Sequence, residues 1–192
     1  MKSENRQITY FYEKGRHNTR ETLELSKSRA IELGIKYITI ATSHAFTPLM
    51  AAEIFKGTNI ELVAVGLSSS YREKAWDLTD IETDKIIKSG IKVCKGMHAF
   101  LGGVEEAFVG RRTIQNIVGM VLCIISQGTK VCIETSIMAA EAGLIPVDNE
   151  IIAIAGTDGG ADTALVIKPN YARKFNKIQI LEILCKPRTP FV

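Results

Sequence analysis

A polar segment near the start of the chain combines the residue types that bind a phosphate group. It lies between an apolar run and a helical stretch. Glycine lets a ligand approach the backbone, arginine pairs with anions, and the free N–H groups of a helix N-terminus attract negative charge. The segment therefore predicts either an anion site or an ordinary turn with Asn18 as helix cap. Its candidate binding residues are Gly15, Arg16, Asn18 and Thr19.

A second polar segment, Thr42 to Pro48, follows one β-rich run and precedes another helix. Its hydroxyl and imidazole groups lie where the helix dipole favours a phosphate. The glycines and lysine of a Walker A loop are missing, so hydrolysis of a nucleoside triphosphate is not predicted. The alternative is that Thr47 caps the helix and the other hydroxyls are solvated. The candidate binding residues are Thr42, Ser43, His44, Phe46 and Thr47.

A third segment, residues 156 to 163, is a glycine-rich loop between two β-rich runs. Its glycines permit positive φ and the close approach of a ligand, and its two aspartates can accept from hydroxyls or a ring N–H. The alternative is a long hairpin connection built from turn residues. The candidate binding residues are Gly156, Thr157, Asp158, Gly160, Asp162 and Thr163.

Two further residues carry groups that can exchange protons. His98 ends a β-rich run, where functional residues collect, so it is a weak candidate for a ligand contact and for a catalytic acid or base. Its alternative is a structural role. Glu134 stands in an apolar stretch and is either a buried carboxylate with a raised pKa, a solvent-facing residue or a helix-cap acceptor. No metal cluster and no Ser-His-Asp triad can be assembled from the sequence.

The elements that position these residues alternate between β-rich runs and helices. Mostly apolar runs separated by helices predict a parallel sheet covered on both faces, a three-layer α/β/α sandwich. Only a short loop joins the fifth and sixth runs, so antiparallel pairing makes the sheet mixed. Ligands should gather at the carboxyl ends of the strands. The β-rich runs are residues 8–12, 35–42, 60–69, 91–98, 150–157, 163–169 and 177–187.

Several helices have recognisable starts. Asn18 with Glu21, Thr47 with Pro48, and Thr79 with Glu82 are each predicted to begin a helix. The helix after Thr113 is apolar nearly all round and is therefore expected to be buried. Residues 129 to 143 fit both a strand and a helix, and we favour a helix because it ends at a glycine cap.

Composition limits the function classes. The 192 residues carry a net charge of +3 without a basic stripe, so nucleic-acid binding is not predicted. We expect one domain, four buried free cysteines, no signal peptide and no membrane span, and hence a cytoplasmic protein.

Six segments together resemble a family of small stand-alone proteins related to the C-terminal α/β domain of pyruvate kinase. In pyruvate kinase, the loop similar to Thr42–Thr47 can hold the phosphate of an allosteric sugar bisphosphate. The catalytic barrel has no counterpart here, so pyruvate kinase activity is not expected. The segments are KGRHNT, IATSHAFTPLMAAEIF, GMHAFLGGVEEAF, KVCIETSIMAAEAG, GTDGGADTALVIKP and ILEILCKPR.

The resemblance implies a function in small-molecule binding. The stand-alone proteins suggest flavin mononucleotide (FMN), which has a monophosphate, a hydroxylated chain and a planar ring. We therefore expect binding of a small phosphorylated ligand, with FMN as the candidate cofactor and homo-oligomers as the assembly. Whether the protein is an enzyme stays open. The alternatives are a sugar phosphate sensor and an oligomeric interaction module without catalysis.

Overall fold

The apolar runs form one seven-stranded sheet. A computed structural model describes residues 3–189. The order across the sheet is β1-β7-β6-β5-β2-β3-β4, and β6 runs antiparallel to both of its neighbours while the other pairs are parallel. The strands are β1 (Thr9–Phe11), β2 (Tyr37–Ala41), β3 (Glu61–Leu67), β4 (Lys92–Gly96), β5 (Ile151–Ala155), β6 (Thr163–Lys168) and β7 (Gln179–Pro187).

Helices cover both faces of this sheet, which confirms the predicted three-layer α/β fold. Side chains alternate between the two faces along each strand. Ile152 packs in the same buried cluster as Leu23 and Ile86, whereas Ile151 packs in a second cluster with Ile133. The helices are α1 (Thr19–Leu33), α2 (Phe46–Ile54), α3 (Asp80–Lys88), α4 (Glu106–Val109), α5 (Ile114–Leu122) and α6 (Gln127–Glu141).

The first strand lies far from the second in the sheet, although α1 is the only α-helix between them along the chain. β1 pairs with β7 at one edge of the sheet, and β7, β6 and β5 separate it from β2. Helix α1 therefore crosses three strands, and Arg29 near its end binds Glu182 of β7 at 2.8 Å through Nε. This long crossing brings the N-terminus of α1 over the loop that joins β5 to β6.

One of the three predicted helix starts has the expected side-chain cap. Thr79 accepts from the Glu82 backbone N–H at 3.2 Å, and the Glu82 carboxylate accepts from the Thr79 N–H at 3.1 Å. Asn18 lies at the α1 N-cap, but its side chain instead donates to the Glu13 carbonyl at 2.7 Å. The prediction that Thr47 caps α2 is wrong, because α2 begins at Phe46 and Thr47 lies inside its first turn.

The two helices before β5 differ in burial. Residues 127 to 141 form α6, which confirms the predicted helix, and most of its side chains are buried. The expectation that the helix after Thr113 is buried is wrong: one side of α5 packs inward, but Ile114, Ile117 and Val121 are exposed. None of the helices within residues 3–189 is long and apolar enough to cross a membrane.

All four cysteines are free thiols. The sequence predicts that all are buried, and this holds for Cys94, Cys132 and Cys185. Cys123 is only half-buried, because it follows the exposed helix α5. Burial raises the pKa of the Cys185 thiol to about 12, so this thiol is unreactive.

Candidate functional site

The neighbouring parallel strands β2 and β5 end beside each other, and their loops lead in opposite directions. The loop after β2 enters α2 and continues to β3, whereas the loop after β5 turns back into β6 on the other side. In open α/β sheets, such a reversal of direction leaves a crevice at the carboxyl ends of the strands, where ligands bind. The loops 42–45 and 156–162 follow these two strands.

A buried carboxylate fixes the glycine-rich loop to the first segment. Asp162 is fully buried, and its Oδ2 accepts from the N–H groups of Gly15 at 3.0 Å and Thr157 at 3.1 Å. Its Oδ1 accepts from the Thr163 hydroxyl at 2.9 Å. Burial raises the pKa of Asp162, and these hydrogen bonds only partly offset that effect. Asp162 thus uses its acceptors within the protein.

Two glycines of the same loop make room for the chain itself. Thr19 accepts from the Ala161 N–H at 2.9 Å and donates to the Arg16 carbonyl at 2.6 Å. A Cβ atom at Gly160 would lie 2.6 Å from the Arg16 Cα, and one at Gly156 would lie 2.5 Å from the Gly160 carbonyl oxygen. The chain itself therefore lies close to both glycines: Arg16 and Thr19 at Gly160, and the loop's own backbone at Gly156. The close approach of a ligand stays a prediction.

The tip of the loop keeps hydrogen-bond donors that the protein does not use. The N–H groups of Asp158, Gly159 and Gly160 have no acceptor among residues 3–189. All three residues have positive φ. The Asp158 side chain is exposed and pairs with Lys14 at 3.1 Å. Successive free N–H groups in a turn can bind an anion.

The loop after β2 meets the first segment through a cation–π contact. The Arg16 guanidinium lies 3.6 Å from the centre of the Phe46 ring, so residues from the first two predicted segments are in contact. Thr42 donates its hydroxyl hydrogen bond to the His44 carbonyl. Thr47 is buried in α2, while Ser43 is half-buried.

A carboxylate from another helix already accepts a hydrogen bond at the N-terminus of α2. Glu82 of α3 accepts from the Ala45 N–H at 3.3 Å and lies 3.2 Å from Nδ1 of His44. Burial raises the pKa of Glu82, but the hydrogen bonds from Thr79 and Ala45 and the nearby His44 outweigh it, so the pKa is lowered. One donor that the sequence assigns to a phosphate is therefore used by Glu82.

His98 belongs to a buried polar cluster two strands away from β2. Its Nδ1 lies 3.1 Å from Oε1 of Glu134 without hydrogen-bond alignment, and its Nε2 has no partner among residues 3–189. Glu134 also accepts from Lys130 at 2.6 Å and from the Phe100 N–H at 3.1 Å. The Tyr71 ring packs against His98, with centroids 4.9 Å apart.

Of the three alternatives for Glu134, the buried carboxylate is confirmed, but the rise predicted for its pKa is wrong in direction. Burial does raise the pKa, but His98 and Lys130 outweigh burial and lower it. A carboxylate kept ionised beside an imidazole can orient that ring. The sequence did not single out Lys130 or Tyr71 as members of this cluster. Lys130 could have been found from its spacing, because it lies four residues before Glu134 on a helix.

Two surface cavities lie away from this crevice. One of about 430 Å³ is lined by Tyr10, Tyr12 and Arg188, beside β1. The other, of about 240 Å³, includes Phe55 and Ile91 and lies near the amino ends of β3 and β4. Neither borders the carboxyl ends of β2 and β5.

Comparison with known proteins gives only distant similarity. No family model matches the sequence. A pyruvate kinase from Cryptosporidium parvum matches with a TM-score of 0.40 and 12% identity, over 79% of this chain and 23% of that chain. A Cryptosporidium parvum pyruvate kinase in complex with ADP matches with a TM-score of 0.36 and 13% identity, over 86% of this chain and 24% of that chain. The chain thus spans about a quarter of each enzyme's length. Similarity at this level assigns neither family nor activity.

Proposed function

We propose that this protein binds a small phosphorylated molecule at the carboxyl edge of its sheet, with FMN as the candidate. One observation carries the proposal: residues from all three predicted segments meet at this edge. Asp162 joins the glycine-rich loop to Gly15, and Arg16 beside it stacks on Phe46 of the second segment. The proposal extends the resemblance to stand-alone relatives of the pyruvate kinase C-terminal domain.

The phosphate would be held by Arg16 and the tip of the glycine-rich loop. The Arg16 side chain is exposed and has a planar set of donors suited to a phosphate. The unused N–H groups of Asp158, Gly159 and Gly160 add donors without charge. The half-buried Ser43 adds a hydroxyl from the other side of the crevice.

The other end of an elongated ligand would reach His98. Strands β5, β2, β3 and β4 are successive neighbours, so about 14 Å separates the ends of β5 and β4. The half-buried Tyr71 ring suits a planar group, which would reach the buried, unpartnered Nε2 of His98 only by displacing the atoms that cover it. Bound FMN would supply hydride or electron transfer. Phe46 offers another aromatic face, nearer the phosphate end.

The first test is the visible absorption spectrum of protein purified without added ligand, with mass spectrometry of any molecule that heat releases. We expect FMN to be released, or the empty protein to gain about 5 to 10 °C in melting temperature at saturating FMN. Riboflavin, which lacks the phosphate, should bind far more weakly. A colourless protein whose melting temperature FMN leaves unchanged would overturn the FMN assignment.

A pair of arginine variants tests the phosphate site. Arg16→Ala should weaken FMN binding about 10- to 100-fold, because it removes a charged partner of the phosphate. Arg20→Ala is the matched control, since Arg20 is also exposed and its ion pair within residues 3–189 is with Glu24, at 3.7 Å. Equal affinities of the two variants would place the phosphate elsewhere.

The alternative ligand is a sugar bisphosphate bound without catalysis, as a sensor would bind it. The same melting assay with fructose 1,6-bisphosphate separates the two ligands. For a redox enzyme, His98→Ala should reduce turnover on a discovered substrate; for a sensor, the variant should change only binding. Unchanged turnover would remove His98 as acid or base.

A further inference from the structure

The carboxyl ends of β1 and β7 carry two tyrosines and two cations on one face of the sheet. Tyr10 stands opposite Lys186 in the pairing of the two strands. The pairing continues one step further, because the Arg188 N–H donates to the Phe11 carbonyl at 2.8 Å. Side chains two residues apart on a strand project to the same face. The group that shares this face, which we call the tyrosine platform, is Tyr10, Tyr12, Lys186 and Arg188.

The tyrosine platform is open to a ligand. Helix α1 covers the other face of these strands, where Phe11 and Cys185 pack in a buried cluster with the inner side of that helix. On the platform side, Tyr10 is 49% and Tyr12 is 82% exposed. Both rings and Arg188 line the cavity of about 430 Å³ beside β1. This volume lies within the range of small-molecule pockets, which is about 300–1,000 Å³.

The two cations of the platform have no carboxylate partner among residues 3–189. The Arg188 guanidinium lies 6.0 Å from the centre of the Tyr12 ring. The Lys186 ammonium lies 5.3 Å from the centre of the Tyr10 ring and donates to a backbone carbonyl at 2.8 Å. Both distances are within the range of cation–π attraction, about 6 Å. An anion can therefore pair with both cations without breaking an ion pair.

We propose that the tyrosine platform binds a nucleoside phosphate, with the base stacked on the tyrosine rings and the phosphate paired with Lys186 and Arg188. Proteins hold a base on aromatic rings and its phosphate with neighbouring cations, which is the combination present here. The site is separate from the one proposed for FMN, because neither Arg16 nor the glycine-rich loop lines this cavity. Its tyrosines and its cations come from opposite ends of the sequence, so only the β1–β7 pairing brings them together.

Isothermal titration calorimetry of the full chain with AMP tests the site. Stacking tolerates every base, so AMP serves as the probe, and we expect a dissociation constant below about 1 mM. Adenosine lacks the phosphate and ribose 5-phosphate lacks the base, so each should bind at least about 10-fold more weakly than AMP. A chain that does not bind AMP would overturn the proposal. Either analogue binding as tightly as AMP would also overturn it, because one half of the platform would then contribute nothing.

Single substitutions locate the bound AMP. Arg188→Gln and Tyr12→Leu should each weaken AMP binding about 10-fold or more, because they remove a partner of the phosphate and a stacking surface. Arg173→Gln is the matched control, since Arg173 is also exposed and lies 5.9 Å from the centre of the Tyr171 ring, outside this cavity. Equal affinities of Arg188→Gln and Arg173→Gln would overturn the proposal.

The variant Arg16→Ala separates this site from the one proposed for FMN. It should leave AMP binding unchanged, and AMP binding that depends on Arg16 but not on Arg188 would overturn the proposal by placing AMP in the crevice. Arg188 and Tyr12 are exposed, so their variants should keep the fold, which circular dichroism checks. The comparison of AMP with its two analogues uses the unmodified protein and therefore decides the matter even if a variant unfolds.

Discussion

Replacing Asp162 with asparagine should destabilise the protein, because this carboxylate fastens the glycine-rich loop to the first turn of α1. Three donors converge on it: two backbone N–H groups and the Thr163 hydroxyl. Asparagine has the same shape, and its one oxygen can keep both N–H groups, but its NH2 then faces the Thr163 hydroxyl, which must accept instead of donating. Replacing hydrogen bonds to a charged acceptor by neutral ones costs about 1–3 kcal/mol, and relief from burying a charge offsets part of the loss.

The net loss in the free energy of unfolding should therefore be about 2 kcal/mol, or roughly 4–8 °C in melting temperature for a protein of this size. Urea denaturation at neutral pH measures it. Asp158→Asn is the matched control, because Asp158 lies in the same loop but is 79% exposed. Its free energy of unfolding should change by less than about 0.5 kcal/mol. Equal stabilities of the two variants would refute the fastening role.

The pH dependence of the same pair gives an independent check. The pKa of Asp162 in the folded protein lies above the ordinary 3.8, so the folded state holds this proton more tightly than the unfolded chain. The contribution of Asp162 to stability must then fall as pH rises from about 3.8 to the folded-state pKa. The advantage of the unmodified protein over Asp162→Asn should shrink through that window and stay constant above it.

Two further variants test other packed groups. Glu134→Gln should cost about 3–5 kcal/mol in urea denaturation at pH 7, because it leaves Lys130 buried without a charge partner. Since the pKa of Glu134 is lowered, its contribution should be lost as pH falls below 4.5, and stability curves that stay parallel there would contradict this reading. Gly156→Ala should cost about 1–3 kcal/mol by steric overlap with Gly160, whereas Gly96→Ala, with its nearest contact at 3.9 Å, should be close to neutral by the same measurement.

Short sequence patterns predicted most strands and helices, because the formation of these elements depends on residues close together in the chain. The Thr79–Glu82 capping box and the antiparallel β5–β6 pair both follow from short spacings in the chain. The start of α2 was missed because a carboxylate from another helix, Glu82, satisfies the Ala45 N–H. No pattern around Thr47 contains that information.

In the candidate site, too, the sequence predicted what depends on nearby residues and missed what depends on distant ones. The sequence predicted that these loops lie at one edge of the sheet, because the carboxyl ends of parallel strands meet there. It did not show that Gly156 and Gly160 accommodate the chain's own backbone. The direction of the Glu134 pKa depends on the placement of His98. The apolar residues of α5 also did not reveal that one side of this helix is exposed.

The long crossing of α1 also bears on how the chain folds. The inner face of this N-terminal helix packs on strands from the last third of the sequence, and Thr22 contacts Cys185 at 3.7 Å. The edge strand β1 can pair only after the same region has been synthesised, since Thr9 pairs with Cys185 of β7. During synthesis, α1 therefore emerges before the strands on which its inner face packs. Such distant pairing favours slow folding and makes the nascent N-terminal third a natural client for chaperones.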